Sequence, residues 1–260
     1  GFRGVSSPES AGIGGCAHML NFLGTDTIAG LVVARDFYGC PMAGFSIPAA
    51  EHSTICSWGK DNEVKAFENM LDQYPTGLVA CVSDSYDIFK ACSQYWGKDL
   101  KDKVMARNGT LVVRPDSGNP EEVVVKVLDT LGEAFGYTKN AKGYKVLDPH
   151  VRVIQGDGVD YRSIQDILGN MDIHGWSADN IAFGMGGALL QKLNRDTQMF
   201  AFKCSSVTID GKEQDVFKTP VGAEWKKSKG GRFNVGPEVF RDGVVTLNYT
   251  LDACRKRAAI

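Results

Sequence analysis

Three short stretches of this chain carry residue types and spacings suited to a phosphorylated substrate. Arg114-Pro115-Asp116-Ser117-Gly118-Asn119-Pro120 places a fixed cation and a carboxylate two residues apart, so at a strand end both side chains point the same way. The prolines stiffen the loop and lower the entropy lost when it binds. The same pair can equally serve as an Arg–Asp bridge that ties down a turn. Gln155-Gly156-Asp157-Gly158 offers a second carboxylate between glycines. It suits ribose hydroxyls, or a Mg²⁺ ion carrying a polyphosphate, or nothing more than an Asp-Gly turn. Gly184-Met185-Gly186-Gly187 lets backbone N–H groups approach an anion at a helix start, although glycine-rich turns also arise from packing alone. Arg195, further on, could add a bidentate clamp.

Other candidates are weaker when read alone. His52 lies in Pro48-Ala49-Ala50-Glu51-His52-Ser53-Thr54, at an expected strand-to-helix junction where a lone histidine is more often structural. Asp26, in Gly24-Thr25-Asp26-Thr27, passes on its own as a helix N-cap. His18, His150 and His174 have no supporting neighbours, and no Ser/His/Asp or Cys/His order emerges. The 7 cysteines are scattered and never spaced as Cys-x-x-Cys, which argues against a disulfide framework or a zinc ribbon. Buried, reduced thiols are expected, and with them a cytoplasmic protein. A net charge of -2 gives no long-range attraction to nucleic acid or to an anionic membrane. No apolar run approaches the ~20 residues of a membrane span, and no signal peptide opens the chain. It opens on Gly1-Phe2-Arg3-Gly4 without an initiator methionine, and is expected to begin inside a longer protein.

The elements that must position these residues alternate. Strands are predicted over 78–82, 110–113, 151–154 and 180–183, each followed by a helix, over 86–95, 120–135, 161–168 and 188–193. Repeated β-loop-α units call for a parallel sheet, doubly wound or closed as a barrel, and 260 residues suit a barrel. Barrel loops of this kind meet at one rim, and Ser83-Asp84-Ser85 would join the three stretches above there. After Arg195 the pattern changes. Residues 199–207 and 215–218 read as a hairpin around Asp210-Gly211, followed by a basic stretch over 226–232. Residues 239–257 read as a short strand pair around Asp242-Gly243 and a final helix.

Together, residues 1–7, 24–27, 48–54, 83–87, 114–120, 153–160 and 183–196 resemble the nicotinamide phosphoribosyltransferases of the type II phosphoribosyltransferase family, in that family's order. The resemblance implies an irregular α/β barrel over 1–198, with part of a smaller companion domain over 199–260, working as a homodimer with a shared active site. It implies transfer of phosphoribosyl from phosphoribosyl pyrophosphate to the ring nitrogen of nicotinamide, giving nicotinamide mononucleotide and pyrophosphate for NAD salvage. Mg²⁺ is the implied metal, with Asp87, Asp116 and Asp157 as its carboxylates. Arg3, His52 and Arg114 match diphosphate positions, and Arg114, Asp116, Gly156 and Asp157 match ribose and metal-linked ones. Gly186, Gly187 and Arg195 match 5′-phosphate and nucleotide contacts; Lys203, Lys218 and Lys226 look like further anion contacts, and Ser46 and Ser83 like further substrate contacts. His52 resembles the histidine that the family phosphorylates with ATP. Asp26 resembles the carboxylate that takes the nicotinamide amide and would repel nicotinate.

Several positions depart from the family's pattern. Its ring-stacking aromatics and a further phosphate-binding arginine precede the position of Gly1, the stretch 232–239 is shorter than in relatives, and Ala201 stands where relatives can carry a serine. The rival readings are a nicotinate phosphoribosyltransferase, for which Asp26 discriminates, and an inactive nucleotide-binding fragment of the family. A generic sugar-phosphate barrel explains the glycine loops but leaves Asp26 and His52 without a purpose.

Overall fold

A computed structural model describes residues 4–192, 194, 196, 203–222, 227–233 and 240–259. The chain opens with two helices, α1 (Pro8–His18) and α2 (Ile28–Tyr38), which approach closely because their contact is lined by small residues. A Cβ built on Gly30 would lie 2.8 Å from the backbone of Gly15, and one on Gly12 would strike Val33. Two helices follow, α3 (His52–Cys56) and α4 (Glu63–Gln73), and then strand β1 (Thr76–Val82). After β1, α5 (Ile88–Lys90) widens into a π-helical stretch over Ala91–Asp99, and α6 (Lys101–Met105) leads to β2 (Asn108–Arg114).

Helix α7 (Pro120–Phe135) follows β2 and has the bounds expected of it. Proline begins it, Glu121 and Glu122 complement its N-terminal dipole, and Val124, Val127, Leu128, Leu131 and Phe135 bury one face at helical spacing. Next come β3 (Tyr137–Lys139), β4 (Lys145–Leu147), β5 (Val151–Gln155), α8 (Tyr161–Ile173), β6 (Ile181–Phe183) and α9 (Gly187–Leu190). The β3–β4 hairpin has no counterpart in the expectations above, and α8 runs five residues beyond its expected end at residue 168.

Strands β1, β2, β5 and β6 pair in chain order, all parallel, as a four-stranded sheet. On the open flank of β1, Ala49 bridges Ala80, and beyond it Gly24 bridges Phe45, again parallel. Two extended segments therefore continue the same progression without forming full ladders. The core lies between the sheet and its helices, and contains Phe67, Trp96, Leu111, Val113, Leu128, Leu131 and Val153. Residues 79–82 of β1 are buried without alternation, as a strand covered on both faces requires.

The last part is built differently, as expected. Strands β7 (Ser206–Ile209) and β8 (Lys212–Asp215) form a hairpin, and β9 (Phe240–Arg241) and β10 (Val244–Val245) form another. Asp210 and Gly211, like Asp242 and Gly243, adopt positive φ, the conformation of a two-residue hairpin turn whose twist matches its strands. The first part of the expected hairpin, 199–202, lies outside the described residues. Helix α10 (Leu251–Ala258) packs back on the start of the chain. Leu251 joins Cys16, Met19, Ala34 and Ala43 in a second apolar cluster, and the Arg255 guanidinium donates to the Met19 and Ala43 carbonyls at 3.1 and 2.7 Å. All seven cysteines are free thiols, and no helix among the described residues is long and apolar enough to cross a membrane.

Helix α4 opens on a buried acid. Glu63 is 3% exposed, and its Oε1 has no hydrogen-bond partner. Burial pushes its carboxyl up to about 7; nearby Asp87 and Asp84 add to this, and Lys90 and Lys60 oppose it. An acid whose folded value is raised contributes stability in its neutral form that is lost as pH rises from its unfolded value, about 4.3, through the folded one. Stability should thus decline between pH 5 and 8, and Glu63→Gln should flatten that decline. Urea unfolding of both proteins across this range checks it, and equal slopes would refute it.

Candidate functional site

The side chains that carry chemistry gather where the parallel strands end, around one carboxylate. Asp84 follows β1, and its side chain is 3% exposed. Its Oδ1 lies 2.8 Å from His52 Nε2, while its Oδ2 accepts from the Asp116 N–H at 3.0 Å and from the Ser117 hydroxyl at 2.6 Å. Burial acts to raise the Asp84 carboxyl, but the hydrogen bonds from Ser117, His52 and Asp116 outweigh it and hold the group below its ordinary value. Because an ionised carboxylate can only accept, His52 donates through Nε2. In the neutral ring that leaves Nδ1 with the lone pair, 4.0 Å from Asp116 Oδ2.

Arg114 ends β2, and both Nε and Nη2 donate to Asp116 Oδ1, at 3.0 and 2.7 Å. The expected pairing of these two residues is therefore present, and it orients the guanidinium. Gly118, at φ +89, makes the turn that a side chain would resist. Beside this loop, a Cβ on Gly156 would sit 3.3 Å from Arg114 Nε, and one on Gly184 would sit 3.6 Å from Gly156 Cα. The ends of β2, β5 and β6 thus approach through glycine. Asp157 is exposed between Gly156 and Gly158. Gly186 and Gly187 begin α9, where first-turn N–H groups have no intrahelical partner.

Asp26 and Ser46 lie on the two extended segments beyond β1, just past the Gly24–Phe45 bridge, and the Ser46 hydroxyl donates to Asp26 Oδ1. Other expected residues are placed differently. Ser83 is wholly buried, its hydroxyl donating to the Cys81 carbonyl and accepting from Trp96 Nε1, each at 3.0 Å. It supports the strand end from beneath, and Asp84 beside it takes the place at the site that sequence reasoning gave to Ser83. Asp87 caps α5 by accepting from the Phe89 and Lys90 N–H groups at 3.0 and 2.9 Å. Lys203 and Lys218 are exposed in the hairpin region, and Arg3, Arg195 and Lys226 lie outside the described residues. The sequence places Ser83-Asp84-Ser85 at the rim but gives Asp84 no role of its own, because Ser-Asp-Ser carries no spacing signal.

Among the described residues no three His, Cys, Asp or Glu side chains gather as a protein-built metal cage. Mg²⁺ commonly rides on substrate phosphates with only one or two protein carboxylates, and exposed Asp157 fits that sparser requirement. Asp87 fits it less well, because one of its oxygens already caps a helix.

The family model for the nicotinate phosphoribosyltransferase (NAPRTase) family matches residues 1–253. A nicotinamide phosphoribosyltransferase from Xanthomonas campestris pv. campestris is 56% identical over 237 residues, covering 90% of this chain and 50% of the relative. One from Mycoplasma pneumoniae is 37% identical, covering 89% of this chain and 52% of its own length. One from Acinetobacter baylyi is 31% identical, covering 99% and 59%. The chain spans about half the length of the curated relatives it matches.

The contact between Gly156 and Arg114 can be tested. Gly156→Ala should displace the guanidinium by a few tenths of an ångström; if that guanidinium holds a diphosphate, pyrophosphate binding should weaken about threefold to tenfold while the thermal midpoint shifts little. Isothermal titration with Mg²⁺-pyrophosphate reads the affinity, and unchanged binding would show that the guanidinium takes no part in holding the anion.

Proposed function

The chain belongs to the nicotinate phosphoribosyltransferase family, and on that premise we propose that it carries the catalytic half of a nicotinamide phosphoribosyltransferase. The observation that supports this most is one cluster at the strand ends, in which His52, Asp84, Arg114 and Asp116 are hydrogen-bonded together. Nicotinamide attacks C1 of phosphoribosyl pyrophosphate through its ring nitrogen, pyrophosphate departs, and nicotinamide mononucleotide remains. Such a reaction asks the protein mainly to position the nucleophile and to neutralise the leaving group. Arg114, held by Asp116, meets the diphosphate; Asp157 meets ribose hydroxyls; Gly186 and Gly187 offer N–H groups to the 5′-phosphate. Asp157 and Asp116 are the carboxylates that would hold Mg²⁺ together with the diphosphate, and the ion when bound would neutralise charge on the leaving group.

In this reading His52 takes the γ-phosphoryl group of ATP: an N–P bond forms, the bond between the β- and γ-phosphates breaks, and ADP departs. Asp84 holds Nε2, so Nδ1 is the nucleophilic nitrogen, and the phosphorylated ring lies beside Arg114 and Asp116 where it can tune substrate binding. Asp26 chooses the base: one oxygen accepts from Ser46, and the carboxylate accepts from the amide of nicotinamide while repelling nicotinate. A closed barrel over 1–198 with part of a companion domain over 199–260, and a homodimer, complete the proposal. The chain-order parallel pairing favours closure, as does the packing of α9 against α1, where a Cβ on Gly14 would meet Leu190.

Product formation with nicotinamide or nicotinate, Mg²⁺ and phosphoribosyl pyrophosphate, with and without ATP, tests this reading. Nicotinamide mononucleotide is the expected product, formed faster with ATP. Asp26→Ser should lower the nicotinamide-to-nicotinate ratio of kcat/KM by at least about tenfold, the scale for loss of a charged hydrogen bond. Turnover of nicotinate alone would assign the other base, and an unchanged ratio would remove Asp26 from that choice.

A further inference from the structure

Gln155 is a polar side chain in a place built for an apolar one. It ends β5, pairs with Phe183 in the ladder to β6, and is 2% exposed. Burying an amide in the core is unfavourable unless its hydrogen bonds do something an aliphatic residue cannot. Its Nε2 donates to the Asp157 carbonyl at 2.8 Å, across the turn that its own backbone begins. Its backbone carbonyl accepts from the Gly184 N–H, also at 2.8 Å. One residue therefore ties the Asp157 loop to the loop that leads to Gly186 and Gly187.

The need for such a tie lies in the loop itself. Asp157 is flanked by Gly156 and Gly158, and Gly158 has φ +66, so the backbone alone leaves this turn many conformations. Two donors remove that freedom: Gln155 holds the Asp157 carbonyl, and the Ser163 hydroxyl holds the Gly158 carbonyl at 2.9 Å. With both carbonyls held by the protein, the Asp157 carboxylate stays exposed beside Gly156, which itself lies against Arg114.

We propose that Gln155 is a positioning residue for the phosphoribosyl pyrophosphate subsite, fixing the Asp157 and Gly184 loops relative to each other from beneath. This rests on the functional reading above. It concerns one substrate only, because Asp26 and Ser46, which face the base in that reading, lie on segments beyond β1.

Two variants of the full chain test it. Gln155→Met keeps the bulk and removes the donor, and should raise KM for phosphoribosyl pyrophosphate about tenfold while leaving KM for nicotinamide unchanged. Gln155→Glu keeps the shape but, when ionised, sets an acceptor against the Asp157 carbonyl. It should raise KM for phosphoribosyl pyrophosphate more than the Met variant does, again without moving KM for nicotinamide, a split that a packing role would not produce. Unchanged KM for phosphoribosyl pyrophosphate in both variants, or equal rises for both substrates, would overturn the proposal. Calorimetric titration of phosphoribosyl pyrophosphate with Mg²⁺ separates the two claims. A wild-type chain that binds it without turnover, together with a Met variant that binds it weakly, would refute the catalytic reading and support the role of Gln155. A wild-type chain that does not bind it at all would overturn both.

Discussion

The site depends on a buried carboxylate whose two oxygens both accept hydrogen bonds. An ionised group beneath the strand ends is costly unless donors replace the water it loses. Asp84 receives three, from two separate parts of the fold: His52 at the start of α3, and the Asp116 N–H and Ser117 hydroxyl in the loop after β2. Satisfying one charge therefore brings together chain regions 32 and 33 residues distant on either side. It also sets the histidine tautomer, because an acceptor on Nε2 leaves the lone pair on Nδ1.

A parallel sheet makes this possible and limits how it is done. Its strands all end on one side, so groups far apart in sequence become neighbours there, but side chains at adjacent strand ends then compete for space. Glycine relieves the crowding between β2, β5 and β6, where Arg114 rests against Gly156 and Gly156 against Gly184. The freedom that glycine brings is taken back by hydrogen bonds from Gln155 and Ser163. Small residues have a different use at the start of the chain, where Gly15 and Gly30 let α1 and α2 meet almost backbone to backbone.

Those two uses of glycine explain much of what was legible in the sequence. Helix α7 announces both ends through Pro120 and Gly136 and its buried face through valine and leucine spacing, and its bounds were read directly. Asp210-Gly211 and Asp242-Gly243 name their turns for the same reason. Helices α1 and α2 are hidden because small residues contact each other on faces that show little contrast between apolar and polar sides. The segments bridged at Gly24–Phe45 and Ala49–Ala80 are too short to show a period of two. At the site, Arg114 and Asp116 stand out by type and spacing, whereas His52 and Asp26 read alone as structural and gain a role only from the family resemblance. Ser83 and Asp84 are adjacent polar residues at a strand end, and only packing decides that the first turns inward to Trp96 and the second toward His52.

The Arg114–Asp116 pair is compatible with the anion-binding role proposed for the guanidinium. A guanidinium has five N–H donors in a rigid plane. Two of its nitrogens, Nε and Nη2, converge on a single oxygen, Asp116 Oδ1, which fixes the plane while leaving Nη1 and the second hydrogen of Nη2 for an anion. The carboxylate thus acts as an anchor: in the proposed role it would lower the entropy lost on phosphate binding, because the cation no longer has to search its rotamers. Asp116 is held in turn through its own N–H by Asp84, so the orientation of the cation follows from the same buried charge that orients the histidine.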